Sequence, residues 1–140
     1  MANAALSEFK MNRIVVAAIL MVLCSIAWGQ SDEDMAYVNI TPSFITNYDE
    51  GARLKYLKAD VSIKIVAEAE EMIRFHMPSI QNGLVIFFSS KAEEDLTSTV
   101  GRETLRREAL DVVKRVMSTL ERSGDLKVSD LYFNNFVVQS

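Results

Sequence analysis

Leu126-Lys-Val-Ser-Asp-Leu-Tyr-Phe-Asn-Asn-Phe-Val-Val-Gln139 is the stretch on which the fold turns. Chain ends fray unless something holds them, yet this one carries Leu131, Tyr132, Phe133, Phe136, Val137 and Val138 almost to its last residue. Aromatic and β-branched residues favour a strand, and a tail this apolar is expected to be buried. Counting by two from Val128 puts Tyr132, Phe136 and Val138 on one face and leaves Leu131, Phe133 and Val137 for the other. Apolar groups on both parities are the pattern of an interior strand covered on both sides. Tyr132, Phe133, Phe136 and Val138 are therefore expected to form the core of a terminal strand.

Just upstream, Ser123-Gly124-Asp125 supplies the glycine that a helix C-terminus favours. It closes a pattern running from about Thr99 to Arg122, in which Leu105, Ala109, Val112, Val113, Val116 and Leu120 recur at helical spacing. Arg102, Arg106, Arg107, Asp111 and Arg115 fall largely off that stripe, so the spacing predicts an amphipathic helix with one buried face. Arg102, Arg106 and Arg107 could dock an anion. Glu103, Glu108 and Asp111 interleave with them, however, and favour a solvated, ion-paired face.

Further upstream, Pro78 stands at a first helical position ahead of the apolar run Leu84 to Phe88. Helix and strand both fit that run by pattern, and the proline favours helix. Ala67 to Met77 is rich in Ala, Glu and Met and predicts a short helix ending before Pro78. From Arg53 the chain alternates, with Leu57, Ala59, Val61, Ile63 and Ile65 on one side and Lys58, Asp60, Ser62 and Lys64 on the other. That is a strand with one buried and one wet face, as in an antiparallel sheet backed by helices. Tyr37 to Asn47 is β-branched and aromatic with Pro42 in its middle, which predicts an edge strand or one bent at the proline. Asn39-Ile40-Thr41 matches a glycosylation triplet, but a plain strand accounts for it. Asn47 to Gly51, with Asp49 and Glu50, is turn chemistry. The elements sum to an α+β domain, a small antiparallel sheet packed against amphipathic helices.

The 140 residues allow one domain plus a short targeting or anchoring piece. Ile14 to Trp28, including Leu20 and Leu23, carries no charge; Lys10 and Arg13 precede it and Asp32, Glu33 and Asp34 follow. Positive charge is retained in the cytoplasm, so this asymmetry places the N-terminus inside and all that follows Trp28 outside. About 16 residues span roughly 24 Å as a helix, short of a hydrocarbon core of roughly 30 Å, and a snorkelling Arg13 would nearly close the gap. A retained anchor is one reading. The other is a signal peptide cleaved after Ala27-Trp28-Gly29.

From Gln30 onward there are 13 Lys and Arg against 18 Asp and Glu, a net charge of −5. A domain of that sign with no basic stripe repels phosphate backbones, which argues against nucleic acid. Cys24, the single cysteine, permits no disulfide within one chain; Leu23 before it is too large for lipid attachment, so it reads as apolar filler. His76 is the single histidine, with no Cys, Asp or Glu at metal-ligand spacing, and reads as a satisfied, partly buried side chain. No nucleophile elbow, phosphate-binding glycine loop or zinc-binding helix signature is present. No catalytic residue, metal site or cofactor is expected.

Three stretches carry a resemblance. They are Tyr37-x-x-Ile40-x-Pro42-x-Phe44-x-x-Asn47; then Met77-Pro78-x-Ile80 through Leu84 to Ser89-Ser90-Lys91, with Asp95-Leu96 and Gly101-Arg102-x-x-Leu105-Arg106; and finally Leu131 to Gln139. In this order, after an apolar segment, they resemble the FliL family of flagellar basal body-associated proteins. Two departures stand out: Gln81 occupies the place of an arginine, and the link from Trp28 to Tyr37 is short. The resemblance implies a single-pass inner-membrane protein with residues 1–13 cytoplasmic, 14–29 an anchor or signal segment, 30–36 a linker and 37–140 a periplasmic domain of stomatin/SPFH-like fold. It further implies a ring-forming homo-oligomer associated with stator proteins of the MotA/MotB type, supporting rotation in swimming or swarming without catalysis. The alternative is a soluble periplasmic binding or inhibitor module released by cleavage near Gly29.

Overall fold

The computed structural model describes residues 33–48 and 55–139. The expected membrane segment, with Ile14, Leu20, Leu23 and Trp28, and the expected turn at Asp49, Glu50 and Gly51 lie outside the described residues. Three strands, β1 (Met35–Asn47), β2 (Tyr56–Val66) and β3 (Val128–Gln139), form one antiparallel sheet in the order β1-β2-β3. Helices α1 (Glu70–Phe75), α2 (Met77–Ser89), α3 (Glu93–Thr97) and α4 (Thr99–Leu120) come between β2 and β3 in the chain. The α+β expectation holds.

The middle of the sheet is β2, whose Leu57, Ala59, Val61, Ile63 and Ile65 are at most 1% exposed. Their alternation puts every one of them under the helices. On the opposite face Lys58, Asp60 and Lys64 are half-buried, whereas Ser62, expected to be wet, is only 5% exposed.

β1 is an edge strand broken at its proline, as the sequence predicts. Pairing jumps from Ile40–Val61 to Phe44–Ala59, so Thr41, Pro42 and Ser43 bulge out. Pro42 has no N–H for a ladder, and the Thr41–Pro42 peptide is cis. Gln81 Nε2 donates to the Thr41 carbonyl and ties α2 to this bulge.

The terminal strand requires a correction, for β3 pairs with β2 alone and forms the other edge of the sheet. It is not covered on both faces. The pairing with β2 shifts between Asp60 and Val61 and again between Lys64 and Ile65, leaving Asn134 and Ser129 as extra residues. Each extra residue reverses the alternation. Val128 and Leu131 are therefore buried, and Phe133, Phe136 and Val138 half-buried, on the one helix-facing side. Tyr132, expected in the core with Phe136, points to the uncovered face and is 37% exposed, as Val137 is at 43%. Apolar residues on both parities here record two bulges in a one-sided strand.

α2 begins just after His76, with Pro78 in its first turn. It buries Ile80, Leu84 and Phe88 at four-residue spacing, packing on β1 and α4. Phe88 lies at the centre of an aromatic cluster, with Phe44 and Phe87 both 5.4 Å away and Phe133 6.0 Å away between ring centroids. α4 opens on Ser98, whose Oγ accepts from the Gly101 N–H at 2.9 Å. It buries Leu105, Ala109, Val113 and Met117, with Val112 and Val116 half-buried beside them. Leu120, expected on the buried stripe, is 42% exposed. A row of residues four apart runs obliquely to the helix axis, so by the last turn the buried line has rotated past Leu120 to Met117.

The turn after α4 also differs from expectation. The left-handed residue is Ser123 at φ 61°, and Gly124, itself buried, opens a 3-10 turn, Gly124–Lys127. The glycine is required by contact: a Cβ on Gly124 would stand 2.6 Å from the Met117 carbonyl oxygen.

Candidate functional site

A sheet of three strands has two edges, and an open edge invites another chain to pair with it. At β3 the Leu131 N–H donates to Asp130 Oδ1 at 2.8 Å, and Arg106 Nη1 donates to the Leu131 carbonyl at 3.0 Å. Arg106 also bonds Asp130 itself. The outward backbone groups of Leu131 are thus occupied by a charged pair supplied from α4 and β3. At β1, Pro42 lacks an N–H and Gln81 bonds the Thr41 carbonyl, which interrupts the other edge at the bulge.

Arg106 gathers further charge. Its Nε and Nη2 reach the two oxygens of Glu103, each at 2.9 Å, and Arg107 Nε donates to Glu103 Oε1 at 3.0 Å. The expected ion-paired face is therefore present at Arg106 and Arg107. Hydrogen bonds from Arg106 and then Arg107 hold the Glu103 carboxyl down at about 2, from an ordinary 4.5. Burial pushes Asp130 up, but the Leu131 N–H, the Tyr132 hydroxyl and Arg106 outweigh it and leave that carboxyl below its ordinary value. The bond to Asp130 in turn raises the Tyr132 phenol.

Carboxylates with depressed values stabilise the fold above their unfolded value, and that contribution is lost as pH falls through the folded one. The melting temperature is expected to fall between about pH 4.5 and about pH 2 as Glu103 takes up its proton. In Glu103→Gln the slope over that window should be shallower, as a thermal melt series checks.

Other side-chain clasps join distant segments. His76 Nε2 and Glu121 Oε1 are 2.7 Å apart, linking the start of α2 to the end of α4. Glu68 and Lys127 join the turns at the two ends of the helical layer. His76 is thus partnered and partly buried, as its sequence context suggests. Among the described residues no group of His, Cys, Asp and Glu could hold a metal ion.

Two of the concavities among the described residues are the most spacious of those compared. One, about 490 Å³, runs between α2 and α4 and is lined by Pro78, Asn82, Gly83, Arg115, Val116 and Leu120 among others. The other, about 470 Å³, lies on the uncovered face of the sheet among Tyr37, Asn39, Ser62, Tyr132 and Asn134. In the second, Asn134 Nδ2 donates to Ser62 Oγ, and Ser62 Oγ donates to Asn39 Oδ1 at 2.6 Å. Tyr37 and Tyr132 lean together above β2 with centroids 6.1 Å apart. Asn39, Ser62 and Asn134 are common strand residues in isolation. Their convergence comes from the register that sets Asn39 and Tyr132 opposite Ser62, and from the bulge that turns Asn134 toward it.

Gln139 is also engaged: Tyr48 donates to its carbonyl at 3.4 Å, and Tyr56 bonds its side chain. Of the residues expected in the terminal core, Phe133, Phe136 and Val138 lie together against the helices, and Tyr132 belongs to the open-face cleft.

Comparison with known families matches residues 37–139 to the one described as flagellar basal body-associated protein FliL. The flagellar protein FliL of Aquifex aeolicus (strain VF5) is 26% identical over 101 residues, which is 71% of this chain and 59% of that protein. The matched part thus spans under two thirds of that relative's length. Because the family match takes in all three strands from Tyr37 and all four helices, the chain belongs to the FliL family of flagellar basal body-associated proteins.

Proposed function

We propose that this chain is a non-enzymatic accessory of the flagellar motor, held in the inner membrane by Ile14 to Trp28 with the folded domain in the periplasm. There it associates with the stator units and supports rotation in swimming or swarming. The observation that carries this reading is the family match over residues 37–139, joined to an uncharged segment with Lys10 and Arg13 before it and Asp32, Glu33 and Asp34 after. A stomatin-type scaffold role needs rigidity, a fixed height above the bilayer and surfaces that repeat around a ring. The fold is suited to it: one face of β2 is sealed under the helices, and the protein's own groups interrupt each sheet edge, at Leu131 and at Thr41.

Deleting the gene is expected to leave filaments assembled and to shrink swimming or swarming expansion. Cross-linking in intact cells should recover stator components with this chain. Normal motility in the deletion strain, together with no stator product, would remove the reading. Mass spectrometry of the mature chain separates the two topologies: an intact N-terminus supports the anchor, and a start at Gln30 supports the soluble module.

A further inference from the structure

The cleft on the open face has a built floor. Ser62 is 95% buried there by its 5% exposure, and its single hydroxyl proton fixes what lies on either side. A hydroxyl that donates to one amide and accepts from the other must meet the oxygen of the first and the nitrogen of the second. Here those are Asn39 Oδ1 and Asn134 Nδ2. What the two amides turn away from Ser62 is therefore complementary: the Asn39 NH2, a donor, and the Asn134 carbonyl, an acceptor. Reversing both amides would exchange the roles and still leave one of each.

A donor and an acceptor side by side match adjacent hydroxyls, each of which gives and takes a hydrogen bond. The walls add the second requirement. Tyr37 and Tyr132 present ring faces at 47° to one another, and the electron-rich face of an aromatic ring attracts the weakly positive C–H groups on one side of a pyranose. Tyr132 is held in place by Asp130, which Arg106 holds in turn, so little ordering is left for the ligand to impose. The volume, about 470 Å³, falls in the range of small-ligand sites, roughly 300–1,000 Å³. No charged side chain lines the cleft, which disfavours phosphates and other ions. A proline-rich peptide also favours tyrosines, but it needs successive aromatic grooves along an extended helix, and here two rings make a single corner.

We propose that this cleft binds an uncharged sugar through paired hydroxyl or N-acetyl groups, with the pyranose stacked on Tyr37. The test is a proton–nitrogen NMR titration of the full chain in detergent micelles with tri-N-acetylchitotriose. The shifts are expected at the side-chain amides of Asn39 and Asn134 and at the backbone of Tyr37, Ser62 and Tyr132, with a dissociation constant on the order of 1 mM. Asn134→Ala should weaken binding by about tenfold or more, and Tyr132→Phe, which keeps the ring, should retain it. Tyr37 is 61% exposed, so Tyr37→Ala is expected to fold normally and still bind about tenfold more weakly, which keeps the test decisive if Asn134→Ala misfolds. Titration shifts absent from these positions, or unchanged in a folded Tyr37→Ala, would overturn the proposal. So would a proline-rich decapeptide that moves the same amides when the sugar does not.

Discussion

Phe88→Ala is expected to lower the free energy of unfolding by about 3–5 kcal/mol, a large share of the roughly 5–15 kcal/mol that holds a domain of this size together. The ring is fully buried where aromatic side chains of β1, α2 and β3 meet: Phe44 comes from the first, Phe87 from the second and Phe133 from the third. Removing it leaves a cavity bounded by sheet and helix backbone, which relax only in part. Phe136→Ala is the internal comparison. Phe136 is half-buried at the sheet edge, packed against the rim of the core with its ring 5.0 Å from that of Phe133, so its loss should cost about 1–2 kcal/mol. An interior terminal strand would make the two substitutions equal. Denaturant titration of both variants separates the cases.

Gly124→Ala is expected to cost about 2–3 kcal/mol for the opposite reason, an added atom with nowhere to go. The new Cβ would lie 2.6 Å from the Met117 carbonyl oxygen, 3.0 Å from its carbon and 3.1 Å from Glu121 Cβ. Two of these three are backbone atoms of the last turn of α4, where the Glu121 N–H already bonds that same Met117 carbonyl at 2.8 Å. Relief would require unwinding the turn or moving β3 away from it. Because φ at Gly124 is not left-handed, the loss cannot be attributed to backbone strain. A thermal shift of under about 2 °C, a few tenths of a kcal/mol, would show that the turn gives way easily.

β2 was legible almost residue by residue because nothing interrupts its period of two from Leu57 to Ile65, and burial follows that period except at Ser62, which the residues of the neighbouring strands cover. The proline break in β1 and the helix after Pro78 were legible for a similar reason: proline acts locally, through a missing donor and a fixed φ. β3 was legible as a strand but not in its facing. Asn134 and Ser129 each insert a residue against β2, and no pattern internal to the strand shows where a partner's register slips. Nor does composition distinguish edge from centre, since the Arg106–Asp130 pair that closes the edge is made by residues 24 positions apart. The ion pairs within α4 follow from three- and four-residue spacing and could be anticipated. The cleft could not. Asn39, Ser62 and Asn134 belong to three strands, and only the folded register brings them together.

Two further consequences follow from an edge closed by charge. Disrupting Arg106 exposes the Leu131 backbone groups, so aggregation at low pH or high salt should accompany the loss of stability as Asp130 and Glu103 are neutralised or screened. With the Leu131 backbone groups taken, a second chain pairing along β3 would meet no free donor or acceptor at that residue.

The central structural claim is that the terminal strand is a pinned edge of a sheet whose middle is β2. Amide hydrogen exchange followed residue by residue tests it most directly. β2 should be protected along Leu57 to Ile65, while in β3 protection should fall on roughly every other amide between Val128 and Val138, reset at Asn134, because an edge strand points alternate N–H groups away from its one neighbour. Continuous protection through β3 would place it in the interior of the sheet, and exchange at the rate of unstructured peptide throughout it would mean that the tail is not held at all.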